Sequence, residues 1–408
     1  MSRVGFLGLI RDVPSYSGFL TVNPDLGSNI FFWFFPAMEN PKTAPVLLWL
    51  QGGPGSSSML GLFVENGPYL VDKGGNLQLR KVTWARRYSM LYVDNPVGVG
   101  FSFTQQDRGY AHNESDVGRD LFEALQQFFT LFPEYVGNDF YATGESYAGK
   151  YVPAIGHAID TAVQPRVKIN LKGIAVGNGF VDPVTMLDYA DYLYGISLVD
   201  RKQAAVIRQK TDAAIGLIKQ GRYLEANDAI SSVFDGSPSL YTNFTGFTNY
   251  YNYLLTKAPE DQAYYVPFLQ TTRVRKSIHV GSLPFNDSSD KVYNDFYADQ
   301  MVSAKPLFTP LLEKYKVLLY SGQLDIVVAY PFTENFLASL NWTGASALAA
   351  ASIQVWRTPG GGDVYGYVRQ AANFTEVLVR NGGHILPYDQ PDVAYDMITR
   401  FIDGKPFV

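Results

Sequence analysis

The run Asp139-Phe140-Tyr141-Ala142-Thr143 leads directly into Gly144-Glu145-Ser146-Tyr147-Ala148-Gly149, and a helical pattern follows. A strand that turns sharply into a helix, with a serine at the apex, restricts the chain to folds whose sheet edge can carry such a turn. Small residues are needed on both sides of the serine, because the turn holds it in a crowded, unfavourable backbone conformation. The common form is Gly-x-Ser-x-Gly; here Ala148 fills the last small position and Gly149 comes one later. Alone, such a match most often marks an ordinary turn. It gains chemical meaning if an acid and a histidine follow.

The rest of the chain supplies the sheet. Residues 16–22 and 29–35 are extended, aromatic-rich runs joined by Asn-Pro-Asp-Leu-Gly-Ser, which predicts a β-hairpin. Residues 45–50 form a continuous apolar run entering Gly52-Gly53-Pro54-Gly55, and residues 89–93 form another ending in Asp94-Asn95-Pro96. Residues 116–132 show helical spacing with Asp116 at the start. Further strands are expected at 140–143, 173–176, 316–320 and 376–379, and a last helix at 391–402. Short buried strands alternating with helices describe an α/β fold, a mostly parallel mixed sheet covered on both faces. Between 187 and 301 the pattern changes to helical stretches such as 201–219 and Tyr/Asn-rich segments such as Asn249-Tyr250-Tyr251-Asn252-Tyr253. The expected division is a core from 1–186 and 302–408, interrupted by an inserted, mainly helical cap at 187–301.

Two polar positions fall just past the last two expected strands: Asp325, after Tyr320-Ser321-Gly322-Gln323-Leu324, and His384, after Asn381-Gly382-Gly383. In open α/β sheets, catalytic groups gather outside the carboxyl ends of the strands. The order Ser146, Asp325, His384 is that of the α/β-hydrolase fold. In this arrangement His384 takes the proton of Ser146 while Asp325 fixes the imidazole tautomer. Singly, Asp325 reads as a loop-capping acid and His384 as a turn residue; jointly they read as a triad. Of the other histidines, His112 lies beside a sequon, and His157 and His279 are expected in helices. Gly52-Gly53-Pro54-Gly55 follows a strand where this fold carries half of its oxyanion hole, so Gly53 and Tyr147 are the candidate N–H donors.

Composition narrows the function classes. The 408 residues carry a net charge of -5, with no basic footprint for nucleic acid and no polybasic membrane-binding run. No stretch reaches the roughly 18–20 apolar residues of a membrane span. Cysteine is absent, which by itself suggests a reducing compartment. Against that stand five Asn-x-Ser/Thr sequons at Asn113, Asn243, Asn286, Asn341 and Asn373. Chance yields ~1 per 200 residues, so the excess favours passage through the secretory pathway, lysosomal, vacuolar or secreted. The first ten residues are too short and broken for a signal peptide, so a leader is expected to be missing from the chain.

With these blocks in place, the chain resembles the serine carboxypeptidases. Trp49-Leu50-Gln51-Gly52-Gly53-Pro54-Gly55, Asp94-Asn95-Pro96-Val97-Gly98-Val99-Gly100-Phe101-Ser102 and Gly144-Glu145-Ser146-Tyr147-Ala148-Gly149 are similar to family blocks. So are Gly177-Asn178-Gly179 with Asp182-Pro183, and Val274-Arg275-Lys276-Ser277-Ile278-His279-Val280. The Gln-Gly-Gly start and the His384-Ile385-Leu386-Pro387-Tyr388-Asp389-Gln390-Pro391 ending look like the vitellogenic-like members. The resemblance implies an exopeptidase that takes single residues from peptide or protein C-termini through an acyl-serine, with no metal or cofactor. It also implies that Trp49, Gln51, Gly52, Glu65 and Glu145 bind the substrate's terminal carboxylate. Crowded acids have raised pKa values, so protonated glutamates could donate to a carboxylate, and activity is expected to favour acidic pH. Gln51 stands where many members have Asn, and the family's usual disulfides cannot form here. The competing readings are an acyltransferase or esterase on the same scaffold, and a non-catalytic stabilising protein; oligomeric state is left open.

Overall fold

The computed structural model describes residues 2–5, 7 and 13–408, so half of the opening decapeptide lies outside the described residues. The strands are β1 (Ser2–Arg3), β2 (Tyr16–Asn23), β3 (Ser28–Phe35), β4 (Val46–Leu50), β5 (Tyr69–Val71), β6 (Leu77–Leu79) and β7 (Ser89–Val93). They continue with β8 (Phe140–Glu145), β9 (Leu171–Gly177), β10 (Lys316–Gly322), β11 (Gln354–Arg357), β12 (Val364–Ala371) and β13 (Phe374–Val379). Eleven of them form one sheet in the order β1-β2-β3-β7-β4-β8-β9-β10-β13-β12-β11, while β5 and β6 form a separate hairpin. The central run β7-β4-β8-β9-β10-β13 is parallel. The outer strands add antiparallel at both edges.

Every residue of β4 and β7 is buried, as a sheet covered on both faces requires. Side chains alternate along a strand, so Val46, Leu48 and Leu50 join one apolar cluster while Leu47 and Trp49 join the other. The first cluster receives Val117, Leu121 and Phe128 of α1 (Glu114–Leu131) and Tyr151, Val152 and Ile155 of α2 (Ala148–Thr161). The second receives Met397, Ile398 and Phe401 of the last helix, Pro391–Asp403.

Several local expectations shift. α1 begins at Glu114 rather than Asp116: Asn113 is its N-cap, and its Oδ1 accepts the Asp116 N–H at 3.0 Å. An amide side chain just ahead of the helix can accept that N–H, which Asp116, already inside the first turn, could not cap for itself. His279 is not helical; it follows the helix Thr272–Ser277 with φ +67°, and its Nδ1 lies 3.1 Å from Ser17 Oγ. β11 and β12 carry no continuous apolar run, since only Trp356 of β11 is buried, and sheet-edge strands of this kind escape a search for buried ones.

Within 187–301 the helix Arg201–Ile218 starts with a capping box between Asp200 and Gln203. It packs into the first cluster through Ala204, Ile207, Ala214 and Ile218. Residues 265–285 join the second cluster instead, where Phe63 stacks on Tyr265 at 5.9 Å and Phe101 meets Phe285 at 5.0 Å. Hydrogen bonds add to this packing, and the sequence has no cysteine for a disulfide. Tyr192 Oη donates to the Asp325 carbonyl at 2.8 Å and Tyr189 Oη to that of Val327 at 3.0 Å. The Tyr253 N–H reaches the Leu324 carbonyl at 3.0 Å, and the Ile326 N–H that of Tyr250 at 3.2 Å. Among the described residues no helix is long and apolar enough to cross a membrane.

Candidate active site

The turn after β8 has the shape that its residues require. Ser146 has φ +64°, in the left-handed region that a non-glycine residue adopts only under constraint. Its N–H donates to the Gly177 carbonyl at 3.0 Å, and its carbonyl accepts from Gly149 at 2.9 Å and from Phe180 at 3.0 Å. A Cβ on Gly144 would lie 2.5 Å from the Leu50 carbonyl oxygen and 2.7 Å from Ala148 Cβ. Gly144 and Ala148 thus face each other across the turn, and alanine fits at 148 because glycine stands opposite. Gly149 has its own constraint, since a Cβ there would meet Phe180 backbone at 2.7 Å.

Asp325 and His384 come together as the chain order suggested. Asp325 is fully buried; its Oδ2 lies 2.7 Å from His384 Nδ1. Its Oδ1 accepts the N–H groups of Val327 at 2.9 Å and Val328 at 3.1 Å, which fixes the carboxylate plane. The imidazole is held from its other sides. The Tyr251 ring stacks on it at 4.9 Å and 11°, and the His384 N–H donates to the Tyr251 carbonyl at 2.6 Å. Asn178, at the end of β9, donates through Nδ2 to the carbonyls of His384 at 2.6 Å and Gly383 at 3.2 Å, while its Oδ1 accepts the Gly322 N–H at 2.7 Å. Asp389 Oδ2 accepts from the Gly383 N–H at 2.7 Å and from Asn252 Nδ2 at 3.0 Å.

Two cavities meet at Ser146. One, of about 160 Å³, is bordered by Gln51, Gly52, Gly53, Ser146, Tyr251 and His384 among others. The second, of about 200 Å³, adjoins Gly53, Ser146 and Tyr147 and runs under Phe180, Tyr189 and Tyr250. The glycine loop passes so close over the turn that a Cβ on Gly52 would lie 2.3 Å from the Tyr147 nitrogen. Gly53 has φ +114°, which excludes a side chain there. Among the described residues neither the Gly53 nor the Tyr147 N–H is taken by a backbone carbonyl.

Behind the first cavity lies a buried polar chain. Trp49 Nε1 donates to Gln51 Oε1 at 3.0 Å, and Gln51 Nε2 donates to Glu145 Oε1 at 3.1 Å. Gln51 and Gly52 border the cavity itself, whereas Trp49, Glu65 and Glu145 stand behind them, each at most 1% exposed. Glu65 is delivered by a π-turn, Gly61–Glu65, whose first residue must be glycine because a Cβ would sit 2.1 Å from Trp49 Nε1. Burial pushes the Glu65 carboxyl up to about 7, opposed by its contacts with Glu145 and Gln51 and by Arg80. Burial, then the charge of Glu65, raises Glu145 well above the usual carboxylate range. The two carboxyls are close enough to couple, yet no well-aligned hydrogen bond takes either Glu65 oxygen or Glu145 Oε2. Buried acid oxygens in that state favour the protonated form. The extra methylene of Gln51 is used to bridge Trp49 and Glu145.

Asn178, Tyr251 and Asp389 were not singled out from the sequence as parts of the site. Asn178 and Asp389 stand in motif blocks, which is the only signal that marked them. All five sequon asparagines, Asn113, Asn243, Asn286, Asn341 and Asn373, are exposed.

Known proteins match this chain over almost its whole length. The family model described as serine carboxypeptidase matches residues 8–404. The chain is 52% identical over 404 residues to the venom serine carboxypeptidase of Apis mellifera, covering 98% of this chain and 86% of that one. It is 51% identical over 413 residues to the probable serine carboxypeptidase CPVL of Homo sapiens, covering 99% and 86%. In fold it is similar to the crystal structure of Kex1(delta)p, a prohormone-processing carboxypeptidase from Saccharomyces cerevisiae, with a TM-score of 0.86 at 24% identity over 98% of this chain and 95% of that one. A match that runs nearly from end to end, over a mostly parallel sheet with helices on both faces, places the chain in the serine carboxypeptidase family.

Proposed function

We propose that the protein removes single amino acids from the C-termini of peptides, with Ser146, His384 and Asp325 as its triad. The observation that carries this reading is the Asp325–His384 pair at a cavity that also holds Ser146 and is backed by two buried glutamates. Ser146 Oγ attacks the last peptide carbonyl and gives its proton to His384 Nε2, while Asp325 stabilises the imidazolium through Nδ1. The N–H groups of Gly53 and Tyr147 receive the developing oxyanion. His384 then protonates the departing amine, releasing the free amino acid and leaving an acyl-Ser146. Water, deprotonated by the same imidazole, hydrolyses that ester.

The substrate's terminal carboxylate docks at Gln51 and Gly52. Glu65 and Glu145 act from behind as protonated donors, and Trp49 orients Gln51. An ionised pair would repel the carboxylate, so binding weakens as pH rises, in keeping with acidic-pH activity. The segment 187–301 acts as a cap inserted between core parts 1–186 and 302–408. The exposed sequons are glycosylated in the secretory pathway, and no nucleic acid partner is involved.

The deciding experiment compares a blocked dipeptide with its C-terminally amidated twin at several pH values. Release from the free acid alone, strongest under acidic conditions, is the expected result. Equal turnover of acid and amide would sink the carboxypeptidase reading in favour of a general esterase or amidase.

A further inference from the structure

The cavity beside His384 contains a charge that the mechanism above does not use. Asp287 borders it, and apart from His384 no other acidic or basic residue does. Its carboxylate is half-buried, Oδ1 accepts a short hydrogen bond from Tyr265 Oη, and Oδ2 takes none from the described residues. Among the described residues no cation offsets it; burial raises its carboxyl above the ordinary value, and the Tyr265 contact opposes that rise. The neighbouring acid is Asp94, which burial pushes up to about 7 and whose oxygens accept from Ser57 Oγ at 2.5 Å and the Phe101 N–H at 2.9 Å.

Asp287 is held firmly. The Ser57 N–H donates to its carbonyl at 2.9 Å, the next residue bridges Ser56, and the Asn286 N–H donates to the Gly100 carbonyl at 2.9 Å. A fixed, partly desolvated carboxylate without a counterion is costly unless something cationic joins it. The walls suit such a guest: Tyr250, Tyr251 and Tyr265 offer ring faces or edges, and Leu60 and Ile385 offer apolar surface for an alkyl stem.

Which substrate residue enters this cavity follows from the carboxylate device proposed above, on which the inference rests. Gln51 and Gly52 border this cavity and not the one at Tyr147. A C-terminal carboxylate held there places the side chain of the same residue against Asp287, and puts the acyl portion toward Tyr147. The geometry points to Asp287 as the specificity residue of the leaving-group pocket, selecting peptides that end in lysine or arginine.

The test uses blocked dipeptides with one acyl residue and a C-terminal lysine, norleucine or glutamate, at one mildly acidic pH. kcat/KM is normalised to the fraction of protein labelled by a fluorophosphonate. Norleucine keeps the lysine stem and loses only the charge. The wild type should favour lysine over norleucine by about tenfold, and glutamate should be poorest. In Asp287→Asn, which retains an acceptor for Tyr265, the lysine-to-norleucine ratio should collapse toward one. Parity or a norleucine preference in the wild type overturns the inference without any variant, as does an unchanged ratio in Asp287→Asn; a purely structural Asp287 predicts both. Release of norleucine alongside either of these results leaves the carboxypeptidase reading standing. Should a labelled protein release no C-terminal residue at all, that reading fails and the preference with it.

Discussion

The Glu65→Gln substitution separates the protonated-acid argument from mere packing. Folded Glu65 titrates at about 7 against an ordinary value of 4.5. A raised acid pKa means that the folded state holds its proton more tightly than the unfolded one. Its contribution is therefore fully present below 4.5 and is lost as pH climbs through about 7. That difference corresponds to about 3 kcal/mol, a large share of the net stability of an ordinary domain. Glutamine is nearly isosteric and does not titrate, so Glu65→Gln should gain roughly that much relative to wild type between about pH 4.5 and pH 8. Glu145, relieved of a like charge, ionises more easily in the variant, which acts in the same direction. Urea denaturation of both proteins across this range reads the effect directly. Parallel stability curves would refute the claim that Glu65 is protonated in the fold. The same titration should appear in catalysis: wild-type kcat/KM declines as pH rises through about 7, and Glu65→Gln, which keeps an N–H donor, lacks that limb.

Three further outcomes are expected. Ser146→Ala should abolish fluorophosphonate labelling and peptide release, leaving at most residual turnover, while its thermal midpoint stays close to wild type. Gly52→Ala, whose methyl would press 2.3 Å from the Tyr147 nitrogen, should displace the candidate oxyanion donors and lower kcat by about 10²–10³. Asn178→Ala leaves the Gly322 N–H and the carbonyls of Gly383 and His384 without their partner. At about 1–3 kcal/mol per unsatisfied buried group, it should show both a lower denaturation midpoint and a reduced kcat.

The parts of the site written in adjacent residues were legible from the chain. The serine turn, the glycine loop and the strand-end positions of Asp325 and His384 follow local rules, because a turn's backbone demands particular residues at fixed offsets. Ala148 looked like a departure from the pattern until Gly144 was seen opposite it. What escaped is assembled from distant segments. Asn178 reaches His384 across 206 positions, and Tyr251 comes from a Tyr/Asn-rich segment whose packing no periodicity announces. The edge strand β11 and its neighbour β12 escaped for another reason: with polar, partly exposed positions and glycine and arginine among their residues, they lack the apolar run that marked the central strands.

The tyrosine attachments between residues 189–253 and the 324–327 loop bear on where such an enzyme can work. The 324–327 loop is joined to residues 189–253 by phenol and amide hydrogen bonds beside apolar packing, in a sequence with no cysteine for cross-linking. The site as described has no bond that a thiol could open. Dithiothreitol or glutathione should leave the turnover of this chain untouched, so the local thiol concentration does not limit where its site keeps its shape.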